Sequence, residues 1–153
     1  METKKREFNN IQRASQVISF DGLEKGNCSF TDLDGVCEIN NEYLIMTDAK
    51  VEGNELPIGQ RILMERFCDK NWVGAIAFVV EHDTTVDKIV RLTDCLVREA
   101  RVRNGKWERY SQLKRKPLGM WLSELESRWN TGKLVDTYEH KFSYCGYKKQ
   151  ENE

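Results

Sequence analysis

Several things are scarce in this 153-residue chain, and each scarcity removes a class of protein. Only two prolines and ten glycines occur, with no low-complexity stretch and no internal repeat, so collagen-like, solenoid and linker-rich architectures are excluded. No apolar run approaches the ~18 residues of a membrane-spanning helix. The charged start Lys4-Lys5-Arg6 is followed by no apolar stretch, so a secretory signal is not expected and a cytoplasmic location is. The five cysteines (Cys28, Cys37, Cys68, Cys95 and Cys145) are odd in number and show no CxxC spacing. The two histidines, His82 and His140, stand far from each other and from any cysteine. Neither a disulfide framework nor a zinc centre follows from such spacing, and the cysteines read as small buried hydrophobes.

What is present is a folding composition: 39% hydrophobic residues and 10% aromatics, enough for one domain with a real core. We expect a single domain over residues 1–147 and a frayed charged tail over 148–153. Net charge is only −1, but its distribution is uneven. Asp21 to Glu55 holds nine acids and two bases; Lys88 to Lys116 holds ten bases and three acids. The pattern suggests an acidic centre able to hold cations beside a basic surface able to hold an anionic polymer; two ordinary solvated faces of opposite sign are the bland alternative.

Along the chain, apolar spacing predicts a first helix over residues 7–18. A hairpin follows, with strands 30–39 and 43–50 around Asn40-Asn41, residues that tolerate turn geometry. Pro57 opens a helix to about Asp69, with Ile58, Ile62, Leu63 and Phe67 expected inward. Trp72 to Val80 is nearly continuous apolar sequence and reads as a strand covered on both faces. Ile89 to Arg103 reads as a strand, and Asn104-Gly105 as the turn into Lys106–Tyr110. Pro117 opens a last helix, with Leu118, Trp121, Leu122, Leu125 and Trp129 on one face. The fold class is α/β: a mixed central sheet flanked by helices.

The chemistry concentrates around the hairpin. Asp48 and Lys50 are two apart in a strand and share a face. With a three-residue loop Asn40-Asn41-Glu42, Ile39 pairs with Tyr43 and Asp34 falls opposite Asp48; with a two-residue loop it falls opposite Thr47. Two opposed carboxylates repel unless a cation sits between them, and Mg²⁺ favours such oxygen ligands. A metal held there lowers the pKa of bound water, and a neighbouring Lys50 orients that water. Asp48 and Lys50 alone are equally compatible with a charged strand edge.

The order of Thr31-Asp32-Leu33-Asp34-Gly35, an apolar strand, then Asp48-Ala49-Lys50 resembles the PD-(D/E)XK nuclease superfamily, particularly its small phage and bacterial members. The helix carrying Gly59-Gln60-Arg61 and the following apolar strand extend the likeness over roughly residues 7–82. The resemblance implies a restriction-endonuclease-like core and a Mg²⁺- or Mn²⁺-dependent nuclease acting on DNA. It implies Asp34, Asp48 and the carbonyl of Ala49 as metal ligands, Lys50 as the group that positions or activates water, and Gln60 as a holder of the site or a contact to a nearby phosphate. Gln60 is expected to face inward, where an amide needs partners. The acid that many members carry on the first helix has candidates in Glu7 and Glu24, and Asp32 is a candidate outer acid. Asp48 stands where many members have glutamate.

The bases Arg98, Arg101, Arg103, Lys106, Arg109, Lys114, Arg115 and Lys116, with Trp107, form the expected nucleic-acid surface. His82 reads as a structural or exposed residue, with proton transfer as its functional alternative. The expected partner is DNA, with a homodimer left open. A catalytically inactive nuclease-fold protein that binds nucleic acid or a host protein is the competing reading.

Overall fold

The structure, a computed structural model, describes residues 32–84, 88–132 and 134. The expected first helix, its candidate Glu7, and Glu24, Cys28, Cys145 and the tail 148–153 lie outside the described residues.

Two asparagines set the first register. Asn40 and Asn41 both take left-handed backbone (φ 53° and 57°), which their short polar side chains tolerate, and Glu42 N–H closes the turn on the Ile39 carbonyl at 2.9 Å. Strand β1 (Gly35–Ile39) therefore pairs antiparallel with β2 (Tyr43–Val51), Ile39 opposite Tyr43 and Gly35 opposite Thr47. This is the three-residue loop, so the register that sets Asp34 opposite Asp48 by extension is the one found.

Pro57 occupies the N-cap position of helix α1 (Ile58–Cys68), where its missing N–H costs nothing. The helix carries the chain over to β3 (Gly74–His82), which lies parallel to β2 with Asp48 beside Val79 and Lys50 beside Glu81. A parallel neighbour demands such a crossover. β3 is buried from Ala75 to Glu81, as expected of a strand covered on both faces. It starts two residues later than Trp72.

The Ile89–Arg103 expectation is too long. Strand β4 (Leu96–Val102) begins only after a 3₁₀ turn at Leu92–Asp94, and Ile89 is exposed. β4 pairs antiparallel with β3 and carries a bulge: Val79 faces Glu99 while Val80 faces Val97, so Arg98 is the extra residue. After the turn at Asn104-Gly105 comes a two-residue strand β5 (Glu108–Arg109) on the β4 edge. Pro117 then opens helix α2 (Leu118–Trp129), ended by Asn130 in left-handed backbone. The five strands lie in the order β1-β2-β3-β4-β5, a mixed sheet in an α/β arrangement.

Strand alternation divides the core. Ile45, Ile76, Phe78, Val80, Val97 and Ala100 face α2, whose Leu118 and Leu125 are buried, with Trp121, Leu122 and Trp129 half-buried against them, as the helical spacing predicts. Leu44, Met46, Ala75, Ala77 and Val79 face α1. Here the expected inner face is corrected. Ile58 is 76% exposed, Ile62 and Phe67 are exposed and Leu63 half-buried, while Gln60, Met64 and Cys68 point in. Apolar residues surround α1, so their spacing does not choose a face. Met64 and Cys68 fill the space over the small Ala75 and Ala77, and the same i, i+4, i+8 stripe brings Gln60 to the C-terminal end of β2. No described helix is long and apolar enough to cross a membrane.

Candidate metal and reaction site

The end of β2 is where the sheet loses its edge partner. β1 reaches only to Gly35, and an added Cβ there would stand 2.6 Å from Thr47 Oγ1, so glycine permits the closest approach of the two strands. One residue earlier, Asp34 turns its carboxylate onto β2, where its Oδ2 accepts the Ala49 N–H at 2.7 Å. A strand residue directs its N–H and C=O to the same edge, so the Ala49 carbonyl faces the same open side as Asp34.

Asp48 is 1% exposed and on the α1 side of the sheet. Lys50 Nζ approaches its Oδ1 to 2.8 Å as an ion pair, yet that oxygen has no oriented hydrogen-bond donor. Burial pushes the Asp48 carboxyl above the usual carboxylate range; Lys50 opposes this, and the neighbouring Asp34 and Asp32 reinforce it. Gln60 ties the group together. Its Oε1 accepts from Lys50 Nζ at 3.1 Å, and its Nε2 donates to the Asp32 carbonyl at 2.9 Å and to Asp32 Oδ1 at 3.4 Å. Asp32, Asp34, Asp48, Lys50 and Gln60 thus meet at one end of β2, as the hairpin register and the inward Gln60 require. The donor set fits a hard divalent cation: carboxylate and carbonyl oxygens, with Lys50 as the cation already beside Asp48. Among the described residues no three His, Cys, Asp or Glu side chains form a ready metal cage.

No protein-family model, curated protein or solved structure matches this chain.

The basic segment behaves differently from the expected phosphate-binding surface. Arg98 is fully buried: its Nη1 donates to Glu81 Oε1 at 2.7 Å and to the Asn54 carbonyl at 2.6 Å, while Nε and Nη2 stand 3.5 and 3.6 Å from Glu99 and Glu55. Arg101, 8% exposed, makes a two-pronged pair with Asp69 at the C-terminal end of α1 (2.9 and 2.7 Å). Arg115 pairs with Glu81 at 2.6 Å. The indole of Trp107 donates to Glu65 at 2.8 Å and lies under Arg61, 4.8 Å from its centroid. Arg98 and Arg101 therefore cannot reach a nucleic acid in this fold, and Arg115 and Trp107 are engaged internally. Arg103 is half-buried; Lys106, Arg109, Lys114 and Lys116 stay exposed, Arg109 on Glu55 at 2.7 Å.

Glu81 and Glu99 were not singled out by sequence, though both are buried partners of this network. The available signal was a charge pair, Arg98-Glu99, inside the apolar run Leu96–Ala100, together with an acid closing the apolar run of β3. His82 is half-buried, its Nδ1 accepting the Thr84 N–H at 3.2 Å, beside a cavity of about 130 Å³ that Glu81 and Arg115 also line.

Proposed function

We propose that this chain is a metal-dependent nuclease with a restriction-endonuclease-like core, hydrolysing phosphodiester bonds of DNA at the Asp34–Asp48–Lys50 cluster. The observation that carries the reading is the gathering of three acids, one lysine and one glutamine at the end of β2 beyond its β1 partner, with Lys50 Nζ 2.8 Å from Asp48 and 3.1 Å from Gln60. Asp34, Asp48 and the Ala49 carbonyl would hold Mg²⁺ or Mn²⁺, which when bound supplies Lewis acidity and an acidified water.

The protein's own groups do the rest. Lys50, with its side chain 19% exposed, reaches solvent at the mouth of the site. It orients the attacking water and balances the negative charge that grows on the phosphate oxygens. Gln60 has no chemistry of its own; its carbonyl fixes the lysine ammonium, and its amide anchors the Asp32 segment that leads into Asp34. Asp48 must be ionised to hold a metal, and burial raises its carboxyl pKa in the metal-free protein, so metal uptake should weaken on acidification from a higher pH than an ordinary carboxylate would give.

A second reading, an inactive nuclease-fold protein that binds nucleic acid or a host protein, is favoured by one feature. Asp34 already accepts the Ala49 N–H and Asp48 already pairs with Lys50. The deciding experiment is a cleavage panel with Mg²⁺ and Mn²⁺ against double-stranded DNA, single-stranded DNA and RNA. We expect metal-dependent DNA cleavage stopped by EDTA and reduced at least ~10³-fold in Lys50→Ala, a loss of about 4 kcal/mol of barrier lowering. Equal cleavage by wild type and Lys50→Ala would overturn the proposal. Binding without cleavage in every arm would establish the second reading.

A further inference from the structure

The parallel register of β2 and β3 sets Lys50 beside Glu81. Both belong to the α1 side of the sheet: Lys50 stands two residues on from Asp48, and Glu81 two on from Val79, which packs with the α1 residues Met64 and Cys68. Neighbouring strands lie about 4.8 Å apart, so an ammonium and a carboxylate placed in this way are expected to pair. They do not. Lys50 Nζ reaches Asp48 Oδ1 at 2.8 Å and Gln60 Oε1 at 3.1 Å instead, and among the described residues no ion pair joins it to Glu81.

The reason lies on Glu81 itself. Arg98 Nη1 donates to its Oε1 at 2.7 Å and Arg115 Nη1 to its Oε2 at 2.6 Å, so each oxygen already has a charged donor. Glu81 is buried, and there a guanidinium contact is little weakened by water. Arg98 arrives through the β4 bulge. Arg115 arrives from the turn before α2, where its Nε also donates to the Tyr110 carbonyl at 3.1 Å. One guanidinium is enough to balance one carboxylate; the second leaves the trio net positive, which turns the ammonium of Lys50 away. Glu99, the buried acid of β4 on this side, is occupied as well, by Arg61 at 3.2 Å.

We propose that Arg115, by completing the clamp on Glu81, is a positioning residue for Lys50: it keeps Glu81 from capturing the lysine and so holds the ammonium on Asp48 and Gln60. Without Arg115, one oxygen of Glu81 is released next to Lys50, and the ammonium divides between Glu81 and Asp48. The effect on cleavage rests on the nuclease reading; the placement of Lys50 is a property of the metal-free chain.

The test compares the full chain with Arg115→Gln and with the double variant Arg115→Gln, Glu81→Gln. The Gln60 side-chain amide signals in nitrogen-15 NMR, recorded in EDTA, report whether Lys50 still donates to Gln60 Oε1. They should move in Arg115→Gln and return toward their wild-type positions in the double variant, where residue 81 has no charge to capture the lysine. The double variant equally lacks the contact to Tyr110, so a merely structural role would leave it as displaced as the single one. Cleavage should follow, with kcat down about 10-fold and KM little changed in Arg115→Gln, and kcat regained to within about 2-fold in the double variant. Should Arg115→Gln not fold, Arg115→Lys decides in its place, since it keeps a cation for Glu81 but not the Tyr110 contact: wild-type Gln60 signals support the clamp, displaced ones overturn it. Unmoved Gln60 signals in Arg115→Gln, or signals as displaced in the double variant as in the single one, overturn the proposal. Absence of cleavage by the wild-type protein would end the nuclease reading and leave the Gln60 signals to decide this one.

Discussion

Two charged groups lie on the α1 side of the same sheet, and they balance differently. Around Arg98, four guanidiniums (Arg61, Arg98, Arg109 and Arg115) meet three carboxylates (Glu55, Glu81 and Glu99), and Glu81 is held from two sides at 2.7 and 2.6 Å. Around Asp48, the described residues bring three carboxylates to one ammonium, whose contact at 2.8 Å is with the buried Asp48 Oδ1. The first group has positive charge in excess and is structural: it ties the loop after β2, through the Asn54 carbonyl and Glu55, to β3 and β4, even though Arg98 Nε and Nη2 also lack hydrogen-bond acceptors among the described residues. The second is short of positive charge, the condition under which a site takes up a cation.

Removing a charge should therefore have opposite consequences in the two places. The largest effect belongs to Arg98→Met, which keeps the volume but strips the buried Glu81 Oε1 and the Asn54 carbonyl of their shared donor. It should destabilise the fold by about 3–5 kcal/mol, lowering Tm by on the order of 10 °C in calorimetry. An unchanged Tm would erase the distinction between the groups. Gln60→Ala comes next. It frees Lys50 without removing it, and cleavage should fall about 10–100-fold, chiefly in kcat, as for lost supports of reacting groups.

The Asp48→Asn variant sharpens the contrast by sign. Because burial raises the Asp48 pKa in the folded state, its ionised form is penalised there relative to the unfolded chain. That penalty is complete above the raised pKa and disappears as pH falls below the ordinary carboxylate value. The variant should melt higher than wild type at neutral pH, with the gain shrinking on acidification. A drop in Tm at pH 7 would show that the pair with Lys50 outweighs burial. The smallest effect is expected at the rim of the Arg98 group: Arg109→Gln removes an exposed pair with Glu55 and should leave Tm within measurement error.

The sequence makes parts of this legible for identifiable reasons. Asn40-Asn41-Glu42 carries the hairpin turn, and period-two alternation then places Asp48, Lys50 and Asp34. Continuous apolar composition marks β3, and the spacing from Leu118 to Trp129 marks the buried side of α2. The inner face of α1 is illegible because Ile58, Ile62, Leu63, Met64, Phe67 and Cys68 leave no polar side to contrast with. The burial of Arg98 and Arg101 is illegible for another reason. Charge summed along a segment counts ten bases over residues 88–116 but, Glu99 aside, does not contain their partners, which lie on β3, on the loop after β2 and at the end of α1. The bulge that turns Arg98 inward is likewise a property of pairing rather than of residue type.

The central claim, that the Asp34–Asp48 end of β2 is short of a cation while the Arg98 group is not, is tested most directly by Mn²⁺ binding to the full chain near pH 7.5, read by electron paramagnetic resonance. Wild type should take up Mn²⁺ saturably, Asp34→Ala should weaken it, Asp48→Ala should abolish it, and Glu81→Gln should leave it in place. Undiminished uptake in both Asp34→Ala and Asp48→Ala, or none by the wild-type protein, would contradict the account.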